Sequence, residues 1–243
     1  MDKIKLGVLV GGTSIEREVS KKSCENLLAN LDENKYEITV YHLPADGNTE
    51  WAKNIISNPP QIVLSALHGG NGENGSIQGF LHCLNIPYIG SKVLSSAICM
   101  NKAMAKTVMK ANHIQVPDHV FVMRGVDFSQ YEESIKLMGF PLIVKPNRGG
   151  SSIGVIVARN MEDIHYGIKN IIETYDDDVL IEKFIDGKEI NCCVLQGENG
   201  PEAMAVLDVK KAGSVFVYDD KYHIDEYSSD ITSLPDFMQD MIK

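Results

Sequence analysis

The sequence predicts an α/β protein in which a parallel βαβ block is followed by an α+β block with antiparallel strands. Over roughly the first hundred residues, short apolar runs alternate with helical patterns, which is typical of an open, mostly parallel sheet. Beyond about residue 117, strands are joined through tight glycine turns, which favours antiparallel pairing. The length of 243 residues exceeds what one small core needs, so we expect two or three packed subdomains.

Composition and charge exclude several classes of protein. Hydrophobic residues make up 44% and charged residues 23%, which argues against a disordered chain, a collagen-like fibre or a coiled coil. The formal net charge of −10 repels phosphate backbones, so nucleic acid is not expected as a partner. No apolar run reaches membrane-spanning length, and the short N-terminal run lacks a cleavage site. We therefore expect a cytoplasmic protein with no membrane partner, whose five cysteines are reduced.

The βαβ block is predicted as strands separated by helices. A helix should follow the first strand, with capping-box spacing between Thr13 and Glu16 at its start. Ser76 is expected to cap a second, short helix that runs to Leu84. The predicted strands are residues 4–10, 36–42 and 61–67. The apolar face of the first helix is predicted to hold Ile15, Val19, Leu27, Leu28 and Leu31.

The α+β block begins after a helical pattern that is rich in methionine and alanine. This pattern covers residues 95–111 and ends before Val116-Pro117. Further helices are predicted at residues 131–138 and 161–172. The predicted strands are residues 119–123, 141–145, 154–158, 179–182, 189–196 and 203–210.

Two glycine-rich stretches follow buried strands and are predicted to form ligand sites. Residues 11–14 and 68–75 both lie at the carboxyl ends of strands, where ligands gather in open parallel sheets. The second stretch is too rich in glycine to predict regular structure. The sequence contains no P-loop, residues 11–14 do not form a full G-x-G-x-x-G, and no acidic residue ends the second strand, so dinucleotide binding is not expected.

The sharpest candidate site is the cation and glycine run between Lys145 and Gly154. A lysine at the end of a buried strand is costly unless an anion compensates it. The run Gly149 to Ser152 can point successive backbone N–H groups and two hydroxyls at phosphate oxygens. The alternative is a polar hairpin loop whose lysine reaches solvent.

Three further residues favour the phosphate interpretation. Glu182 ends an apolar strand that runs into a linker whose backbone can hydrogen-bond an adenine edge, and Glu189 suits ribose hydroxyls. Lys102, on the helix after Met100-Asn101, adds a second cation. The alternative for Lys102 is a solvated helix lysine.

The ordered set of motifs resembles the ATP-grasp superfamily and, within it, the D-alanine–D-alanine ligases. Any one motif is weak, but the combination is specific and extends from the first strand to about residue 235. The matching stretches are residues 11–20, 67–75, 78–79, 86–91, 100–102, 144–146, 150–154 and 181–184.

The resemblance implies a domain organisation and a reaction. It implies an N-terminal pre-ATP-grasp substrate domain at residues 1–98, a central ATP-grasp subdomain at 99–186 and a partial C-terminal subdomain at 187–243. The implied reaction is ATP-dependent ligation of two D-alanines through an acyl phosphate, for peptidoglycan precursor synthesis. ATP and D-alanine are the implied partners, and the resemblance allows a homodimer.

The resemblance also implies the ATP-binding residues. Lys102 and Lys145 would clamp the phosphates, and the loop to Gly154 would close over them. Along the adenine would lie Glu182, Lys183, Phe184 and Ile185, with Glu189 on the ribose. The full implied set is Lys102, Lys145, Ser151, Ser152, Gly154, Glu182, Lys183, Phe184, Ile185, Glu189 and Lys221.

Catalysis is implied to depend on a network of Glu16, Ser151 and Tyr222. Glu16 would meet the ammonium group of the first D-alanine, whereas its alternative role is the capping box. Lys221 would reach the γ-phosphate from a mobile lid at residues 218–222, for which the alternative is a solvated hairpin. Tyr222 favours an amine acceptor and hence the dipeptide product.

Five residues are implied to line the amino-acid site. For His68, the residues alone leave a strand-end histidine bonded to backbone as an equal alternative. The implied set is Glu16, Val19, Ser20, His68 and Glu73.

Family members extend beyond the position of Lys243, and the resemblance places their Mg²⁺ ligands in that later part. We therefore expect no metal site within these 243 residues and a C-terminally truncated ligase. One alternative is a non-catalytic homologue that binds nucleotide or amino acid without turnover. Another is an ATP-grasp ligase for a different carboxylate, against which Glu16, His68 and Glu73 argue.

Overall fold

The computed structural model describes residues 2–209 and 229–242, which divide into two compact units. The first unit comprises Met1–Val116 and Asn147–Gly150, and the second comprises Pro117–Pro146 and Ser151–Lys243. No helix among the described residues is long and apolar enough to cross a membrane.

The first unit contains one sheet and its helices. Its strands are β1 (Ile4–Gly11), β2 (Tyr36–Leu43) and β3 (Ile62–Ser65). Its helices are α1 (Arg17–Asn30), α2 (Glu50–Ser57), α3 (Gly70–Glu73), α4 (Ser76–Cys83), α5 (Val93–Met100) and α6 (Lys102–Ala111).

The sheet of the first unit is parallel, as predicted, with the strand order β2-β1-β3. Alternate side chains of β1 enter two different apolar clusters. Leu6, Val8 and Val10 pack with Cys24 and other residues of α1, whereas Leu9 packs with residues of α2 and α4. Because helices cover both faces, the strand reads as a continuous apolar run rather than an alternating one.

Local structure in the first unit departs from the predictions at several places. The single helix predicted at residues 95–111 is two helices, α5 and α6, interrupted at the extended residue Asn101. The glycine-rich stretch contains the short helix α3, so the prediction of no regular structure was wrong. Ile15 precedes α1 and is 66% exposed, so it does not belong to the apolar face of that helix.

The cap predicted for the second short helix was also wrong. Gly75, in the left-handed region, is the N-cap of α4, and Ser76 is its first helical residue. Ile77 and Leu81 of this helix are buried, and Phe80 packs against the same cluster.

The described residues of the second unit form two sheets. Its strands are β4 (His119–Val122), β5 (Leu142–Pro146), β6 (Ile156–Ala158), β7 (Val179–Lys183), β8 (Ile190–Gly197), β9 (Gly200–Val209) and β10 (Ser229–Ile231). Its helices are a 3₁₀ turn at Phe128–Tyr131, α7 (Glu132–Met138), α8 (Met161–Tyr175) and α9 (Asp236–Ile242).

The larger sheet of this unit has the order β4-β7-β5-β6 and is antiparallel, which confirms the prediction for this block. One face, which includes Val144 and Ile181, packs on α7 and α8 in the main core of the unit. Gly167 of α8 lies so close to Val144 that a Cβ there would be 2.9 Å from it. By strand alternation, the opposite face carries Lys145 and Glu182.

Strands β8, β9 and β10 form the other sheet, in the order β10-β9-β8. Each of the three sheets therefore lies within one of the three domains that the sequence predicts. The contact units divide the chain differently, because residues 99–116 and 147–150 group with the first sheet. The domain boundaries at residues 98 and 186 stay a prediction.

Candidate functional site

The first unit brings three of the predicted substrate residues together at one edge of its sheet. Glu16 follows β1, and His68 and Glu73 follow β3, the strand paired with β1 in parallel. Because β2 and β3 flank β1 on opposite sides, the chain changes direction here, and the loops after β1 and β3 enclose a crevice at the carboxyl ends of the strands.

Glu16 is 6% exposed and lies at the N-cap of α1, but its side chain forms no capping hydrogen bond. The capping box with Thr13 was therefore a wrong prediction. Instead, the Oγ atom of Ser14 accepts a hydrogen bond from the N–H of Glu16 at 3.1 Å. The Glu16 carboxylate lies against Gly69 in the loop after β3, where there is no room for a Cβ.

His68 lies between a hydroxyl and a carboxylate. Its Nε2 atom is 2.8 Å from Oγ of Ser23, on α1, and its Nδ1 atom is 3.9 Å from Oε1 of Glu73. The alternative of a histidine bonded only to backbone is therefore wrong, since two side chains contact the ring. Ser23 was missed by the sequence analysis because only the fold brings α1 against the loop after β3.

Electrostatics within this cluster favour a positively charged ligand. Burial raises the pKa of the Glu73 carboxyl above its ordinary value, and the negative charge of Glu16 raises this pKa further. A backbone hydrogen bond at Gly69 and the nearby His68 act in the opposite direction. A cation placed between the two carboxylates would relieve their repulsion, so the site suits an ammonium group.

The raised pKa of Glu73 predicts a pH dependence of stability. Between its unfolded and folded pKa values, the folded protein binds more protons, so this carboxyl reduces stability as the pH rises. As the pH rises from about 4.5 to about 7, the free energy of unfolding of Glu73→Gln should therefore increase relative to that of the parent protein. Urea unfolding at both pH values measures this difference.

The control for this prediction is Glu16→Gln, which removes a charge that raises the pKa of Glu73. In this background, Glu73→Gln should give a smaller pH-dependent gain. A gain of the same size in both backgrounds would contradict the assigned interaction between the two carboxylates.

Two cavities border the cluster within the first unit. One, of about 120 Å³, is lined by His68, Gly69 and residues that follow all three strands. The other, of about 450 Å³, is lined by Glu73, Lys102, Gly149 and Gly150, among others. The volume of the second cavity falls in the range of small-molecule sites. A carboxylate, a cation and the glycine loop line this one cavity.

Two other predicted substrate residues lie on α1. Val19 is half-buried, whereas Ser20 is 0% exposed and its Oγ atom accepts a hydrogen bond from the N–H of Gly11 at 2.9 Å. Ser20 thus fixes the end of β1 against α1. A substrate contact by either residue stays a prediction.

Lys102, the predicted second cation, begins α6 and holds the loop that follows β5. Its Nζ atom donates to the carbonyl oxygen of Gly149 at 2.8 Å and lies 3.5 Å from that of Asn147. The alternative of a solvated helix lysine is therefore wrong. The ammonium group lies beside the glycine run, as the phosphate interpretation requires, although backbone carbonyls accept its hydrogen bonds in this structure.

Asn147 is a structural residue of the site to which the sequence analysis gave no role. It is 0% exposed, its carbonyl accepts from the N–H of Lys102 at 3.0 Å, and its Oδ1 atom accepts from the N–H of Ala103 at 2.9 Å. Two N–H groups at the start of α6 are thereby satisfied by a residue far away in sequence.

Asn147→Ala is predicted to lower the free energy of unfolding by about 1–2 kcal/mol, since a buried N–H at the helix start loses its acceptor. Denaturant unfolding checks this value. A loss well below about 0.5 kcal/mol would show that the cap at Ala103 contributes nothing to stability.

The second unit contains the other predicted phosphate ligands. Lys145 pairs with Leu180 across the sheet, and its ammonium group forms an ion pair with the carboxylate of Glu182, two residues along the same face. The two side chains are only 20% and 10% exposed. The strand-end lysine therefore does have an anionic partner, and in this structure that partner is Glu182.

The loop after β5 has a backbone suited to binding an anion. Ser151 and Ser152 have φ values of +52° and +57°, and Gly154 has +72°. Consecutive residues in the left-handed region are uncommon for serine and turn neighbouring N–H groups towards one side of the chain. A Cβ at Gly154 would lie 2.8 Å from the ring of Tyr175, so this glycine is required for close packing.

Two N–H groups of the linker predicted to bind adenine already donate hydrogen bonds to other backbone carbonyls. The N–H of Lys183 donates to Asp118, and that of Phe184 donates to Pro141. Any adenine contact by these two residues would therefore use their carbonyls or side chains. Ile185 is 63% exposed, and Glu189 is exposed, so both side chains are accessible to a ligand.

Some predicted contacts stay predictions. Ser151 belongs to the second unit and Glu16 to the first, and Lys221 and Tyr222 lie outside the described residues. Within residues 2–209 and 229–242, no group of three or more His, Cys, Asp or Glu side chains is arranged to hold a metal ion.

Comparison with known proteins identifies the family. The family model described as D-ala D-ala ligase C-terminus matches residues 108–240, and the corresponding N-terminus model matches residues 49–91. The chain belongs to the D-alanine–D-alanine ligase family. It is 38% identical over 233 residues to the D-alanine–D-alanine ligase of Bacillus anthracis, covering 96% of this chain and 73% of that protein.

Solved structures of the family share the fold. The D-alanine–D-alanine ligase of Bacillus anthracis complexed with ATP has a TM-score of 0.79 at 30% identity, covering 98% of this chain and 74% of that one. The VanG D-Ala:D-Ser ligase of Enterococcus faecalis has a TM-score of 0.80 at 26% identity, covering 99% and 80%. The ATP-grasp fold predicted from the motifs is therefore confirmed.

Proposed function

We propose that this chain binds ATP and D-alanine and takes part in joining two D-alanines into D-alanyl-D-alanine, a peptidoglycan precursor. The observation that carries this proposal is the meeting of Glu16, His68 and Glu73 at the carboxyl ends of β1 and β3 in a member of this ligase family. Two adjacent carboxylates suit the ammonium group of an amino acid.

The proposed reaction has two steps. The carboxylate oxygen of the first D-alanine attacks the γ-phosphorus of ATP, which forms an acyl phosphate and releases ADP. The amine of the second D-alanine then attacks the acyl carbon, loses a proton and displaces inorganic phosphate. Electrostatic stabilisation of the transferring phosphoryl group is the main demand that this chemistry places on the protein.

In the first unit, Glu16 and Glu73 would hold the ammonium group of the first D-alanine. This contact leaves the substrate carboxylate free to react, since the ammonium and carboxylate groups of an amino acid point in different directions. Lys102, beside Gly149 and Gly150, would supply positive charge to the phosphates.

In the second unit, Lys145 and the backbone of Ser151 and Ser152 would bind phosphate oxygens. Lys145 would exchange its ion pair with Glu182 for the nucleotide, and Glu182 would then face the adenine. Lys183, Phe184, Ile185 and Glu189 would lie along the base and ribose. Lys221 and Tyr222 keep their implied roles at the γ-phosphate and in the network with Glu16 and Ser151.

ATP-dependent ligases typically use a divalent metal, which shields the phosphate charges when it is bound. The described residues contain no carboxylate and imidazole cluster that fits such an ion. No step proposed here therefore passes through a metal. The setting that we propose is the cytoplasm, with a homodimer as the assembly, which sedimentation equilibrium tests.

The proposal is tested by calorimetric titration of this chain with a nonhydrolysable ATP analogue and, separately, with D-alanine and L-alanine. We expect binding of the nucleotide and of D-alanine. Phosphate release from ATP with Mg²⁺ and D-alanine then separates a ligase from a homologue that binds without turnover. Failure to bind either D-alanine or the nucleotide would refute the proposal.

A further inference from the structure

Ser23 makes an unusual contact for a serine inside a helix. Such serines often return the hydroxyl to the carbonyl four residues earlier in the same helix. The Oγ atom of Ser23 instead lies 2.8 Å from Nε2 of His68, a residue 45 positions away. The hydroxyl therefore connects α1 to the loop after β3, within the first unit.

We infer that Ser23 is a positioning residue for the amino-acid site, which fixes the tautomer and orientation of the His68 ring. This inference deepens the proposed function, since it concerns the same site. Ser23 belongs to none of the residues that the sequence or the family resemblance implicates. It acts through His68 and does not itself border either cavity.

The contacts of His68 select one of its neutral forms. A neutral imidazole has one donor and one acceptor nitrogen. Oε1 of Glu73, 3.9 Å from Nδ1, favours the proton on that nitrogen. Nε2 is then the acceptor, and Ser23 donates its hydroxyl proton to it, which is a bond that no apolar side chain can provide.

The fixed His68 ring in turn holds the carboxylates that would bind the ammonium group of the ligand. With its proton on Nδ1, His68 faces Glu73, which lies near enough to Glu16 for the two charges to interact. Without the Ser23 hydroxyl, Nε2 loses its donor and the ring is free to change tautomer or to rotate. The alignment of Glu73 beside Glu16 would weaken with it.

The direct test is ¹⁵N NMR of the ligand-free protein labelled at histidine, because the two ring nitrogens give different shifts when protonated. The His68 signals are assigned by their loss in His68→Gln. We expect the Nδ1–H form in the parent protein and in Ser23→Thr, which keeps the hydroxyl. We expect a mixture of tautomers in Ser23→Ala.

The binding test uses calorimetric titration with D-alanine and with a nonhydrolysable ATP analogue. Ser23→Ala should weaken D-alanine binding by about three- to tenfold, which corresponds to one lost hydrogen bond, and leave nucleotide binding unchanged. Ser23→Thr should restore D-alanine binding. Ser57→Ala, which alters an exposed helix serine bonded to its own backbone, is the matched control and should bind both ligands normally.

Two results would overturn the inference. One is an unchanged His68 tautomer in Ser23→Ala, and the other is equal D-alanine affinity in Ser23→Ala and the parent protein. The NMR experiment needs no ligand, so it remains decisive even if the parent protein binds no D-alanine and the proposed function fails. If Ser23→Ala loses helical circular dichroism, Ser23→Thr provides the test instead. The tautomer of His68 in Ser23→Thr must then match that of the parent protein.

Discussion

Lys145→Met is expected to lower the free energy of unfolding by about 2–4 kcal/mol, because it leaves the largely buried Glu182 carboxylate without its cation. The two side chains are 20% and 10% exposed, so this effect should be somewhat smaller than for a fully buried pair. Urea unfolding of the whole chain measures the loss.

The double variant Lys145→Met with Glu182→Met separates the ion pair from the packing. Replacing both charges by apolar side chains of similar volume also removes the carboxylate that has lost the Lys145 ammonium group, so stability should return to within about 1 kcal/mol of the parent protein. Nucleotide binding should not return, since the cation that we assign to phosphate is still missing. Recovery of nucleotide binding in the double variant would contradict that assignment.

Lys183→Met is the matched control for both measurements. Lys183 follows Glu182 in the chain, but its side chain is exposed, so the substitution should change stability by no more than about 0.5 kcal/mol. It should also weaken binding of a nonhydrolysable ATP analogue far less than Lys145→Met does. Equal losses in the two variants would mean that the loop after β5 is not the phosphate site.

The sheets were predictable because their signals are local. β1 reads as a continuous apolar run, and it is buried on both faces by helices that the periodicity also predicts. The antiparallel strands β5 and β6 follow from the glycine loop between them. In both cases, burial by neighbouring elements reinforces the preference that the local sequence already has.

Some helix ends were not predictable, because distant residues help to decide them. At the start of α6 they add to a local cap, in which Oδ1 of Asn101 accepts a hydrogen bond from the N–H of Met104. Asn101 interrupts the helical pattern, and the carbonyl and side chain of Asn147 satisfy the start of α6 from 44 or more positions away. The same applies to Glu16, which has capping-box spacing but lies against Gly69 instead. Tertiary contacts outweigh a local cap that contributes only about 1 kcal/mol.

The candidate site was likewise predictable only in part. The family motifs predicted Glu16, His68 and Glu73, and the structure places them together. The contact of Ser23 with His68 and the ion pair of Lys145 with Glu182 depend on which helix or strand lies next to which, so no single motif contains them. The motifs indicate which residues form the site, whereas the fold determines which side chains contact one another.

Gly69→Ala is expected to weaken D-alanine binding by at least about tenfold, since the new methyl group would occupy the space of the Glu16 carboxylate. A Cβ there would also lie 2.6 Å from Oγ of Ser14. The backbone adds strain, because Gly69 has φ +63° and ψ −179°, a region that is almost exclusive to glycine. We expect a loss of stability of about 1–3 kcal/mol from this strain.

Gly70→Ala is the matched control, because Gly70 also has a positive φ, of +47°, but a Cβ there would meet only ordinary contacts, 3.6 Å from Ser14. It should lose stability but retain D-alanine binding. A double-mutant cycle then identifies the route of the Gly69 effect. If Gly69→Ala acts by displacing Glu16, it should change D-alanine affinity little in a Glu16→Ala background. A further tenfold loss in that background would place the effect elsewhere, because Glu16 would no longer be there to displace.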